Sequence, residues 1–122
     1  MSYKCSFPAY DEKCFDESKK KVFVVDVYSK SCGPCRSVAP SIDKIAEKYS
    51  DSVRFFGLDS KEESRVADRW NIESLPTFVV FVKDGRKVKI FEKVDSKYLG
   101  KRGMRHYCDG LEYALKNAAL AN

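Results

Sequence analysis

The sequence predicts an α/β domain built on a mixed sheet, and three observations carry that reading. The apolar run Val22-Phe23-Val24-Val25-Asp26-Val27-Tyr28 is followed by a helical stretch and a second run, Val53-Arg54-Phe55-Phe56-Gly57-Leu58, which makes an early βαβ unit with parallel pairing. Two further strand-like runs enclose a short turn containing Asp84-Gly85, the mark of an antiparallel hairpin. Apolar residues at helical spacing then close the chain.

Each element has its own warrant. Near the N-terminus, Asp11 to Lys20 reads as a short helix capped by Asp11 and packed through Cys14 and Phe15. Residues 22–28 are apolar on both alternating faces, as a buried parallel strand is. Val38, Ile42, Ile45, Ala46 and Tyr49 recur at helical spacing, with Pro40 expected to kink that helix. A polar helix from roughly Glu62 to Trp70 places Val66, Ala67 and Trp70 on one face. Strands at 77–82 and 87–91 flank the turn Lys83-Asp84-Gly85. In the second of them Val88, Ile90 and Glu92 alternate with Lys87, Lys89 and Phe91, which describes a half-exposed edge. Tyr107, Leu111, Ala114, Leu115 and Ala118 mark the last helix. No repeat, low-complexity tract or linker divides the chain.

A length of 122 residues, 43% apolar and 34% charged, suits one domain able to bury a core without disulfide staples. No apolar run approaches the roughly 18 residues of a membrane span. Met1-Ser2-Tyr3-Lys4-Cys5 lacks the apolar stretch of a secretory signal, and five cysteines cannot all pair within the chain. Both observations favour a reducing compartment, and the expectation is a cytoplasmic protein. The net charge of +5 is uneven: residues 83–105 hold nine Lys or Arg against three Asp or Glu, leaving the remainder of the chain at −1.

Cys32-Gly33-Pro34-Cys35 stands where the first strand gives way to a helix. Two residues between cysteines at a helix start place one thiol at the positive end of the helix dipole and the second about one turn on. Gly33 allows a tight turn, and Pro34 suits a first helical turn, where its missing N–H is not required. A zinc site needs four ligands, and the remaining Cys5, Cys14, Cys108 and His106 form no second pair. Asp26, an acid inside an apolar strand, is expected to be desolvated with its pKa raised; a carboxylate at a strand end reaching solvent is the alternative.

Val25-Asp26-Val27-Tyr28, Cys32-Gly33-Pro34-Cys35, Ala39-Pro40 and Leu75-Pro76-Thr77, with the hairpin at Lys83-Asp84-Gly85, together resemble the thioredoxin family. The likeness covers roughly residues 20–94 and the last helix, while 1–20 and 95–106 match poorly. It implies a thioredoxin fold over 1–122, with four to five strands flanked by helices on both faces. It also implies a thiol–disulfide oxidoreductase that reduces protein disulfides, Cys32 being the nucleophile and Cys35 the resolving thiol. On the same resemblance, Cys32 and Cys35 form a redox-active disulfide, with no bound cofactor or metal. Electrons then come from an NADPH-dependent reductase of the thioredoxin reductase kind. Asp26 is similar to the family's buried carboxyl, which moves a proton to and from the second cysteine. Pro76 resembles its cis-proline, and Leu75, Pro76 and Thr77 its peptide-binding segment.

Four positions depart from the family pattern. Ser31 replaces the usual Trp before the first cysteine, Tyr28 another aromatic, Asp95 a glycine and Gly57 a charged residue near the buried acid. None removes a reacting group; they bear on partner choice. The basic 83–105 segment suits an acidic protein partner better than nucleic acid, since no RNA-binding signature accompanies Phe91 and Tyr98. A monomer is expected. A binding subunit with few partners, or a disulfide oxidase or isomerase, remain alternatives. Cys108 is expected to be buried, Trp70 to pack and His106 to lie at the surface; Cys5 and Cys14 carry no assigned role.

Overall fold

In a computed structural model, which describes residues 3–17 and 19–120, the elements are α1 (Lys13–Glu17), β1 (Val22–Tyr28), α2 (Gly33–Lys48), β2 (Val53–Asp59), α3 (Ser64–Arg69), β3 (Thr77–Asp84), β4 (Lys87–Asp95) and α4 (Lys97–Leu120). The strands form one sheet in the order β2-β1-β3-β4. β1 runs parallel to β2 and antiparallel to β3, and β4 is the antiparallel edge. The parallel pair is the one joined through α2, as a crossover connection requires.

Alternation along the strands divides the core. Val22, Val24, Val80 and Val82 face α2 and α4, meeting Val38, Ile42, Tyr107 and Leu111. Phe23, Val25, Val27, Val79 and Phe81 face the opposite side and pack on Phe15 of α1, Ala67 of α3 and Trp70 just after α3. Both faces of the sheet are therefore covered by helices. Trp70 is a packing residue, edge-on to Tyr10 and to Phe81 at 5.1 and 5.0 Å between ring centroids.

Several boundaries differ from the sequence expectations. α1 is shorter than the 11–20 reading, with Asp11 Oδ1 accepting from the Lys13 N–H at 3.1 Å as expected of its cap; Ser18 lies outside the described residues. α3 is likewise confined to Ser64–Arg69. Pro40 lies inside α2. The hairpin turn is Gly85-Arg86, with Asp84 still paired to Lys87 and Gly85 at φ 61°. A bulge opposite Val80 and Phe81 makes Phe91 the extra residue and switches the face of the residues after it. Val88 thus packs on the α1–α3 side while Val94 is buried on the α2–α4 side. Finally, α4 begins ten residues before Tyr107, at Lys97, and breaks at Gly103 (φ 80°, ψ 176°).

Candidate active site

Cys32 caps α2. Its backbone is extended (φ −81°, ψ 108°), and its Sγ accepts the Cys35 N–H at 3.2 Å. A sulfur held at a helix N-terminus by a backbone donor is stabilised as a thiolate. Cys32 and Cys35 are joined by a disulfide, with 5.3 Å between their Cα atoms. Cys35 is 1% exposed, whereas Cys32 is half-buried, so the first sulfur is the one open to attack. Pro34 lies in the first turn. Gly33 is not in the left-handed region, and a Cβ there would meet nothing within 4 Å. Gly33 and Pro34 are both exposed beside Cys32.

Asp26 is 3% exposed, which decides between the two readings of it. Strand alternation places it on the α2 side of β1, the side from which Cys35 is presented. Burial raises its pKa from 3.8 to about 7; hydrogen bonds from Cys5 and Tyr3 pull it down, and Asp43 pushes it up. The Tyr3 hydroxyl donates to Asp26 Oδ2 at 3.4 Å, and the Cys5 thiol donates to the same oxygen at 3.6 Å. Oδ1 has no hydrogen-bond partner among the described residues. Burial, and then the Asp26 charge, push the Cys5 thiol up to about 12, so Cys5 stays protonated.

The register pair Val27–Thr77 brings the loop before β3 to the end of the sheet from which Cys32 projects. Leu75–Pro76 is a cis peptide bond. Thr77 is buried and its Oγ1 donates to the Ser74 carbonyl at 2.7 Å, so its side chain is engaged within the loop. The Tyr107 hydroxyl bonds the carbonyls of Pro76 and Val94 at 3.0 and 3.1 Å. Asp95 faces the same loop. Its Oδ1 accepts from Ser74 Oγ at 2.6 Å and from the Lys97 N–H at 2.8 Å. Ser31 and Lys30 are exposed beside Cys32, Lys30 pairing with Glu62 at 3.2 Å.

The basic segment is only partly a free surface. Lys83 Nζ donates to the Phe15 carbonyl at 2.6 Å, and Lys93 Nζ to the carbonyls of Trp70 and Asn71 at 3.0 and 3.3 Å. These two lysines satisfy carbonyls at the ends of α1 and α3. Arg86, Lys87 and Lys89 are exposed. Cys108 is partly buried rather than fully so, and Cys5, Cys14 and Cys108 are all free thiols. His106 is half-buried.

Tyr3 and Cys5 are the site residues that the sequence reading missed. Their signal is the alternation Tyr3-Lys4-Cys5-Ser6-Phe7, in which every second residue turns inward.

The thioredoxin family model matches residues 6–102. The chain belongs to the thioredoxin family. It is 35% identical over 89 residues to Thioredoxin-T of Drosophila melanogaster, which is 73% of this chain and 56% of that protein. The match therefore spans little more than half of that relative's length. Mitochondrial thioredoxin 3 from Saccharomyces cerevisiae, in its oxidised form, superposes with a TM-score of 0.62 at 29% identity over 81% of this chain and 80% of that one. A chain from a structure on the thiol resolving mechanism of yeast mitochondrial 1-Cys peroxiredoxin via glutathione/thioredoxin systems gives 0.70 at 27% identity, covering 96% of this chain and 99% of that one. This thioredoxin-family chain has no described helix long and apolar enough to cross a membrane.

Proposed function

We propose that this thioredoxin-family chain reduces protein disulfides by dithiol exchange. The observation that carries this reading is the Cys32–Cys35 pair, with one sulfur open at the start of α2 and the other buried behind it. In the reduced protein the Cys32 thiolate attacks a substrate disulfide, forming a mixed disulfide and releasing one substrate thiolate, which takes a proton. Cys35 then loses its proton to Asp26 and attacks Cys32 Sγ. The mixed disulfide breaks, the second substrate thiol leaves, and the Cys32–Cys35 disulfide returns. Gly33 and Pro34 keep the approach open, and the Leu75-Pro76-Thr77 segment offers backbone to an extended substrate peptide.

The exchange needs no bound cofactor or metal. An NADPH-dependent reductase of the thioredoxin reductase class returns the dithiol. Exposed Arg86 in the hairpin turn, with Lys87 and Lys89 on β4, favours an acidic protein partner over nucleic acid. A monomer in the cytoplasm fits a single dithiol open through Cys32 and an odd number of cysteines.

Insulin reduction tests the reading, first with dithiothreitol and then with NADPH and thioredoxin reductase. Turnover with dithiothreitol that is lost in Cys32→Ser is the expected result. Turnover with neither reductant would sink the proposal. Cys35→Ser should accumulate a mixed disulfide on Cys32, which identifies the substrate directly. A reduction potential near thioredoxin's own, about −270 mV, separates a reductant from an oxidase.

A further inference from the structure

The segment before α1 lies along the outer edge of β2. Its backbone is tied down at Tyr3 N–H to the Lys30 carbonyl (2.8 Å), Gly57 N–H to the Pro8 carbonyl (2.9 Å) and Tyr10 N–H to the Gly57 carbonyl (2.8 Å). Side chains anchor it too. Ser6 Oγ donates to Asp43 at 2.6 Å, Phe7 packs on Phe55 at 5.1 Å and Tyr3 sits edge-on to Tyr28 at 5.4 Å. Gly57 is the partner of Asp26 in the β1–β2 register, and a Cβ there would come within 2.6 Å of Cys5 Sγ. The absence of a side chain at position 57 is thus what lets the Cys5 thiol reach the buried carboxyl.

We propose that Tyr3 and Cys5 are positioning residues for Asp26: they hold Oδ2 and leave Oδ1 as the oxygen that exchanges a proton with Cys35. The inference rests on the dithiol-exchange reading above and adds to it two residues that touch no substrate. The geometry supports a division of labour between the carboxyl oxygens, because both donors converge on Oδ2. The titratable groups acting around Asp26 are Tyr3 and Cys5 from the arm, Asp43 on α2, Tyr28 on its own strand and Tyr107 on α4. None of these is a cation. The two neutral donors are therefore what favours the ionised carboxyl, and losing one disfavours it.

The test uses the oxidised protein and reads Asp26 directly through its side-chain carboxyl carbon in an NMR titration. Tyr3→Phe keeps the ring and removes the donor, and should raise the Asp26 midpoint by about half to one pH unit. Cys5 is read by its S–H stretch in a Cys14→Ser/Cys108→Ser background, where it is the one remaining free thiol. That band should shift with the same midpoint as Asp26. An unmoved midpoint in Tyr3→Phe, or an S–H band indifferent to Asp26 ionisation, would overturn the role of that residue.

Single-turnover release of substrate from the Cys32 mixed disulfide supplies the kinetic arm. Its pH profile should move with the Asp26 midpoint in Tyr3→Phe. Should Asp26 shift while the profile stays put, the arm still holds the carboxyl but the carboxyl does not serve Cys35, and the proposal fails at that step. Absence of any exchange in the wild type, with the NMR and infrared shifts intact, rejects the dithiol reading instead.

Discussion

The hydroxyl of Tyr107 on α4 donates to the carbonyl of Pro76, 31 residues away in sequence and 3.0 Å away in space. The same hydroxyl lies 3.1 Å from the Val94 carbonyl, so one fully buried phenol joins the candidate peptide-binding loop, β4 and α4. Tyr107→Phe leaves the ring in place against Phe78 and removes both bonds. The expected loss is about 1–3 kcal/mol, the usual cost of stranding buried polar groups, measured by urea unfolding of the oxidised protein. An unchanged midpoint and slope would show that neither carbonyl depends on Tyr107.

Asp26 makes stability depend on pH with a definite sign. Its pKa lies near 7 in the folded protein and near 3.8 when unperturbed. Between those values the native state holds a proton that the unfolded state has lost. The contribution of Asp26 therefore declines as pH rises from about 4 to about 7 and is flat above that. Asp26→Asn should be more stable than the wild type at pH 8 by on the order of 2–4 kcal/mol, with little of that gain at pH 4. Equal gains at the two pH values would show that the carboxyl does not titrate in this range.

Cys5 is a poor nucleophile despite lying near the active site. With its pKa pushed up to about 12, chiefly by burial and next by the Asp26 charge, its thiolate fraction at pH 8 is very small. Alkylation of the oxidised protein by iodoacetamide, followed by peptide mass mapping, should find Cys5 modified at least about 100-fold more slowly than a cysteine in an unfolded peptide. Rapid labelling of Cys5 would mean that the arm leaves β2 in solution.

Gly57 and Cys5 should behave as a coupled pair. Gly57→Ala places a Cβ in the space of the Cys5 sulfur, with Tyr28 a further 3.3 Å contact. Overpacking of this kind costs about 1–3 kcal/mol. Cys5→Ala relieves the sulfur clash, so the double variant should be more stable than the two single losses sum to. A double-mutant cycle by thermal unfolding measures the difference, and strict additivity would contradict the contact.

Asp95 shows how a departure from the family pattern finds a local use. It accepts hydrogen bonds from Ser74, in the loop before β3, and from the Lys97 N–H at the start of α4. Burial alone would raise its pKa, but these donors with Lys97 and Lys93 hold it below the usual carboxylate value. Its stabilising contribution is therefore present at neutral pH and declines in acid. Ser31, by contrast, is exposed and leaves the rim of Cys32 polar.

Elements that rest on local pattern were legible from the residues themselves. Periodicity sufficed for β1, α2, β2 and the hairpin, and the spacing of Cys32 and Cys35 at a strand–helix junction identified the redox pair. An acid inside an apolar strand was enough to mark Asp26, since burial of a charge follows from its neighbours in the strand. Long-range packing decided the rest. Tyr3 and Cys5 reach Asp26 across 23 and 21 residues. A bulge at Phe91 changes which face Val94 presents, and Gly57 matters for the sulfur it admits. A strand or helix pattern says which face a residue turns inward. It does not say what meets it there, because that depends on how separate elements are laid against one another.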